Sequence, residues 1–251
     1  MPNDVVRMTQ PLRAAFRRRT GWILLLPMAA AIAIFLLAQA VPRIIGRSTF
    51  WIFLPGFFSE STILVCSLAL SIWLTKGRMS SFGFTKGSFR LTPKFFLWLL
   101  PMLAVATLQA AGSPAGSSSN PTTAALGSPV AIILTVWIYA SVCEEIFTRG
   151  LLQSWLSPLA AYRIRLLRRW PLSAPVLLGA LFFGAMHVVL WPKMGAEALA
   201  VMFMAFILGV IAGYYREKTG SLIPAILVHA FFDIGGTVPL WLFALGSWHH
   251  I

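Results

Sequence analysis

Long apolar runs fill most of this chain, and short basic, polar or proline-containing stretches break them at intervals. A helix needs about 20 apolar residues to cross a bilayer core. The pattern predicts seven such spans, at about 21–41, 50–74, 95–112, 129–156, 174–191, 196–214 and 222–245. Several starts carry helix-entry chemistry: Thr92-Pro93, Ser128-Pro129 and Ser221-Leu222 each put a capping hydroxyl before the first helical residue. Pro42, Pro158 and Pro192 sit where spans one, four and five should stop. The fold class expected is an all-α, polytopic transmembrane helical bundle of about seven to eight spans. The uncertainty in number comes from Gly235, Gly236 and Pro239, which would break the last span.

Composition supports this. Apolar residues make up 58% of the chain and charged residues 11%, against about a quarter charged in soluble domains. The net charge of +13 would suit nucleic acid, but the bases lie between apolar runs and line no soluble face, so the expected partner is the lipid bilayer and not nucleic acid. Arg7, Arg13, Arg17, Arg18 and Arg19 precede span one. Lys76, Arg78, Lys86, Arg90 and Lys94 follow span two, Arg163, Arg165, Arg168 and Arg169 follow span four, and Arg216 and Lys218 follow span six. The opposite side has only Arg43, Arg47 and Lys193. Excess bases mark the cytoplasmic side, which places the N-terminus there. Residues 1–20 read as a basic cytoplasmic arm and 21–251 as a single transmembrane domain. Span one is too long for an ordinary signal core despite Ala38-Gln39-Ala40, and reads as retained. Ala111 to Thr123 reads as a flexible extracytoplasmic loop. Cys66 and Cys143 fall inside apolar runs and read as packing residues.

Candidate chemistry comes from the few ionisable residues inside the spans. Asp4, Glu60, Glu197 and Glu217 lie in arms, loops or span ends. Glu144, Glu145, Arg149, His187, His229 and Asp233 lie well inside. A buried ion in a bilayer is costly, so such residues face the bundle interior and mark function. At about 1.5 Å rise per residue, Glu144, His187, His229 and Asp233 lie roughly 18, 21, 12 and 18 Å from the cytoplasmic ends of their helices. Three helices thus bring titratable groups to a similar depth. Glu145 and Arg149, four apart, share a helix face and pair, as do His229 and Asp233. Glu144 points about 100° away from Glu145, so it stays available as a general base. Gly179, Gly184, Ala185, Gly209, Ala212 and Gly213 would let the surrounding helices approach closely. His249 and His250 are adjacent and are assigned no role.

Glu144-Glu145-x-x-x-Arg149, then Phe183-x-x-x-His187, then His229-x-x-x-Asp233 resemble the three ordered motifs of the CaaX-protease and bacteriocin-processing family, also called Abi. Arg149-Gly150 and the stretch from Gly209-x-x-x-Gly213 to Thr219-Gly220-Ser221-Leu222 fit as well, and the resemblance covers about 128–235. It implies a membrane endopeptidase in which Glu144 is the base activating water and His187 its partner. His229 would stabilise the oxyanion, with Glu145, Arg149 and Phe183 in support. Asp233 stands where the best-studied members have Asn. An ionised Asp cannot donate to an oxyanion, so it would be protonated, orient His229 or ligate a metal. Glu144, His187, His229 and Asp233 are ligands that zinc accepts, but the chain has no HExxH helix, and metal-free catalysis is the expectation.

The reading is therefore an intramembrane endopeptidase that cuts a membrane-associated peptide or protein near the cytoplasmic face. Its setting would be a bacterial inner membrane. The rival is a non-proteolytic membrane scaffold or regulator, or a proton-coupled transporter, since buried acids and histidines also relay protons. Transporters are commonly built from inverted repeats, and the sequence shows none.

Overall fold

The computed structural model describes residues 10–45, 56–112, 129–166 and 170–247. Arg7, Arg47, Arg168, Arg169, His249, His250, Ser128 and most of the Ala111 to Thr123 loop lie outside the described residues. Helix α1 (Gln10–Ile45) contains Pro27 and Pro42, so Pro42 does not end it. Next come α2 (Phe57–Thr75), a short 3-10 turn (Met79–Phe82) and α3 (Pro93–Gly112). The long helix α4 (Val130–Trp155) is followed by a two-stranded antiparallel hairpin, β1 (Arg163–Leu166) and β2 (Trp170–Ser173). Then follow α5 (Ala174–Met186), a 3-10 turn (His187–Leu190), α6 (Trp191–Met194), α7 (Glu197–Thr219) and α8 (Ile223–Ser247).

Among the described residues, five helices are long and apolar enough to cross a membrane: Gly21–Ile45, Phe57–Thr75, Val130–Trp155, Ala174–Met194 and Glu197–Thr219. The seven to eight spans expected are not confirmed. The segments near 95–112 and 222–245 do form helices, α3 and α8, but neither enters this set; the described apolar part of α8 is the shorter Ile223–Thr237. Gly235, Gly236 and Pro239 do not break α8, which runs on to Ser247. The hairpin is a second departure from an all-α chain. Its first strand alternates Arg163-Ile164-Arg165-Leu166, the period of a strand and not of a helix.

The entry signals act as local chemistry requires. The Ser173 hydroxyl accepts from the Val176 amide at 3.4 Å, Thr92 from Phe95 at 3.3 Å and Ser221 from Ile223 at 3.2 Å. Each removes one unpaired amide from a helix start. Pro192 does not stop span five. The α-helix already ends at His187, and Pro192 sits in the first turn of α6, where a missing amide hydrogen costs nothing. Trp22, Leu36, Val65, Leu134 and Leu181 stand exposed on the outer faces, an apolar surface suited to lipid rather than water.

Hydrogen bonds gather one end of the bundle. The Arg216 guanidinium donates to the Ser81 carbonyl at 3.1 Å and to the Ser154 hydroxyl at 2.9 Å. The Ser88 amide donates to the Thr219 carbonyl at 2.8 Å and the Leu222 amide to Gly83 at 3.0 Å. Glu217 accepts from Arg163 at 3.0 Å and from Ser173. The turn after α2, the end of α4, the hairpin and the α7–α8 connection therefore share one face. Lys76, Arg78, Lys86, Arg90 and Lys218 lie on these same connections. Helix α5 packs on α7 through small residues. A Cβ added at Gly184 would lie 2.8 Å from the Met202 carbonyl, and one at Gly209 2.8 Å from the Ala180 Cα. One at Gly179 meets nothing closer than 3.8 Å.

Candidate active site

Helix α4 carries the acidic pair in an unusual stretch of backbone. Its α-helical turn Ser141–Glu145 lies between two π-helical segments, Ile133–Ala140 and Ile146–Leu152. Such wide turns are rare and concentrate at functional sites. Glu145 and Arg149 are paired at 2.8 Å, with side chains 0% and 1% exposed. The same Glu145 oxygen, Oε1, accepts from His229 Nδ1 at 2.9 Å. Arg149 also donates to the Thr148 hydroxyl, and its guanidinium carbon lies 4.4 Å from the centre of the Phe183 ring.

Phe183 is the hinge of the arrangement. Its ring meets His187 edge-on at 5.2 Å and His229 at 5.4 Å between centroids. Its backbone carbonyl accepts from His187 Nδ1 at 2.8 Å. A carbonyl can only accept, so the hydrogen is on Nδ1 and, in the neutral ring, Nε2 keeps its lone pair. His229 Nε2 lies 3.7 Å from Glu144 Oε2 and 3.7 Å from Asp233 Oδ2. Asp233 Oδ2 also accepts from the Ser141 hydroxyl at 3.1 Å. All seven residues singled out in the sequence therefore belong to one linked cluster. Glu145, Arg149 and Phe183 are buried in its wall, while Glu144, His187, His229 and Asp233 line one cavity of about 240 Å³.

The cavity has a lining residue that sequence reasoning set aside. Glu60, in the first turn of α2, lines it together with Gln39 of α1 and with Thr135 and Tyr139 of α4. By sequence, Glu60 groups with the acids of arms, loops and span ends, away from the candidate chemistry. No spacing in α2 points to it; only the packing of α2 against α4 brings it to the site. Gly56 and Phe57 also line the cavity, and the start of α2 is at the end of the bundle away from the Arg216 face. The lining thus extends toward the end of the bundle opposite the Arg216 face.

Among the described residues, no three His, Cys, Asp or Glu side chains come together in a group that would hold a metal ion. His187 bonds Phe183 through Nδ1, and His229 is 3.7 Å from both nearby cavity carboxylates.

Comparison with curated proteins and with solved structures gives no match. Residues 126–235, which contain all seven members of the cluster but not Glu60 or the rest of the α1 and α2 lining, match the family described as Type II CAAX prenyl endopeptidase Rce1-like, so the family resemblance carried by the three motifs is shown over this region.

Proposed function

We propose that this protein is an intramembrane endopeptidase that hydrolyses a peptide bond of a membrane-associated peptide or protein. One observation carries the reading: Glu144 of α4, His187 at the end of α5, and His229 and Asp233 of α8 line one cavity. In the proposed reaction, Glu144 takes a proton from a water in the cavity, and His187 Nε2 accepts a hydrogen bond from the hydrogen that stays on the water oxygen. The oxygen attacks the carbonyl carbon. His229, held through Nδ1 by Glu145, donates from a hydrogen-bearing Nε2 to the oxyanion. The tetrahedral intermediate collapses, the C–N bond breaks, and Glu144 returns its proton to the leaving nitrogen. Arg149 neutralises Glu145 and fixes its carboxylate. Asp233, anchored by Ser141 and facing His229 Nε2, orients that ring. Of the three roles the sequence left open for Asp233, this is the one its neighbours support.

The proposed setting is a bacterial inner membrane with the N-terminus in the cytoplasm, and the mechanism is of the glutamate type. Purified protein in nanodiscs, incubated with membrane-peptide extracts and read by mass spectrometry of new termini, tests the reading. Wild type should create termini that Glu144→Gln and His187→Ala do not. Equal termini from all three proteins would remove the proposal.

A further inference from the structure

The electrostatics of the cavity are lopsided. Arg149 is engaged by Glu145 and His229 Nε2 lies 3.7 Å from both Glu144 and Asp233, which leaves Glu60 as the lining acid with no ion pair among the described residues. Glu60 Oε2 is buried and has no hydrogen-bond partner, although the side chain lines the cavity. A carboxylate oxygen without a partner in a low-dielectric wall is costly. The mechanism above gives Glu60 no task, and Glu60 lies outside the family-matched residues 126–235. The cavity, at about 240 Å³, is below the roughly 300–1,000 Å³ of drug-sized ligand pockets.

Resting on the endopeptidase reading, we propose that Glu60 is a substrate-recognising residue: its carboxylate receives a cationic group of the bound peptide, either a lysine or arginine side chain or a free amino terminus. A cation placed there supplies the partner that Glu60 Oε2 lacks. A carboxylate at the same place would leave Glu60 Oε2 without one. The substrate class is thus a membrane peptide that is basic, not acidic, near the cleaved bond.

The test uses full-length protein in nanodiscs and a set of internally quenched apolar nonapeptides. Each peptide carries a single lysine, or its neutral isostere norleucine, at one position, with the amino terminus free or acetylated. Wild type should prefer the lysine peptide at one position by about tenfold or more in kcat/KM, mainly through KM. A preference that follows the free terminus instead identifies the α-amino group as the ligand. In Glu60→Gln the preference should collapse toward one, and Glu60→Asp should restore part of it. A ratio of lysine to norleucine cleavage unchanged between wild type and Glu60→Gln, with the variant folded by its thermal transition, overturns the proposal. Direct binding of the same peptides, measured by fluorescence anisotropy, separates the two readings. If nothing is cut, the endopeptidase reading fails, and equal binding of lysine and norleucine peptides by wild type removes the role of Glu60 as well. Lysine-selective binding that Glu60→Gln abolishes sustains it without cleavage.

Discussion

At the scale of single residues, the site depends on a division of labour between two adjacent glutamates. Glu145 is committed to Arg149 and His229 through one oxygen, whereas Glu144 reaches the cavity. Glu144→Gln keeps the shape but cannot take a proton, so peptidase turnover should fall by about 10²–10⁴-fold with little change in the thermal transition; quenched-peptide kinetics beside a melting curve check both halves. Glu145→Ala acts differently. It leaves the Arg149 guanidinium buried without a countercharge, which costs about 3–5 kcal/mol, and it frees His229 to rotate. Unfolding titrations in mixed micelles should show that loss, and adding Arg149→Leu should recover part of the stability but none of the activity. The pairing of Glu145 with Arg149 was legible from their four-residue spacing. The bond from Glu145 to His229, 84 positions apart, was not, because nothing local sets it.

At the scale of elements, the site is fixed where helices depart from regularity. Helix α4 changes to π geometry on both sides of its acidic turn, and α5 ends at His187. Hydropathy reports neither event, since apolar residues continue through both. The approach of α5 and α7 was foreseen from their small residues, but not all of these matter equally. Gly184→Ala and Gly209→Ala each push a methyl to 2.8 Å from backbone atoms of the facing helix. Each should cost about 1–3 kcal/mol by overpacking and lower activity, because Arg149 Nη2 lies 3.0 Å from the Cβ position at Gly209. Gly179→Ala, with ordinary contacts, should be tolerated. Melting temperatures of the three variants in one detergent give the comparison, and equal stability of all three would show that the helices re-space freely.

At the scale of the whole molecule, the basic connections meet on the face held together by Arg216, while the cavity lining extends to the other end. If basic connections mark the cytoplasm, exposed Ser80 and exposed Glu197 lie on opposite sides of the membrane, since α7 runs about 33 Å from Glu197 to Thr219 and Thr219 contacts Ser88. In a Cys66→Ser background, with Cys143 fully buried, Glu197→Cys should react with a membrane-impermeant maleimide in intact cells. Ser80→Cys should react only after the membrane is opened. The reverse pattern would invert the orientation, and with it the side from which substrate reaches the cavity.

The sequence by itself determined the solvent of this protein and the identity of most groups in its site. Too few charged residues are present to cover a soluble surface, and ionisable residues inside apolar runs are too costly to be there without purpose. Those are properties of composition and spacing, which survive without coordinates. The tertiary structure decided that α5 breaks at His187 and that Glu60 joins the cavity from α2. It also gave Asp233 its partners, Ser141 and His229. Each of these depends on which helix faces meet, and side chains far apart in the chain are brought together only by packing.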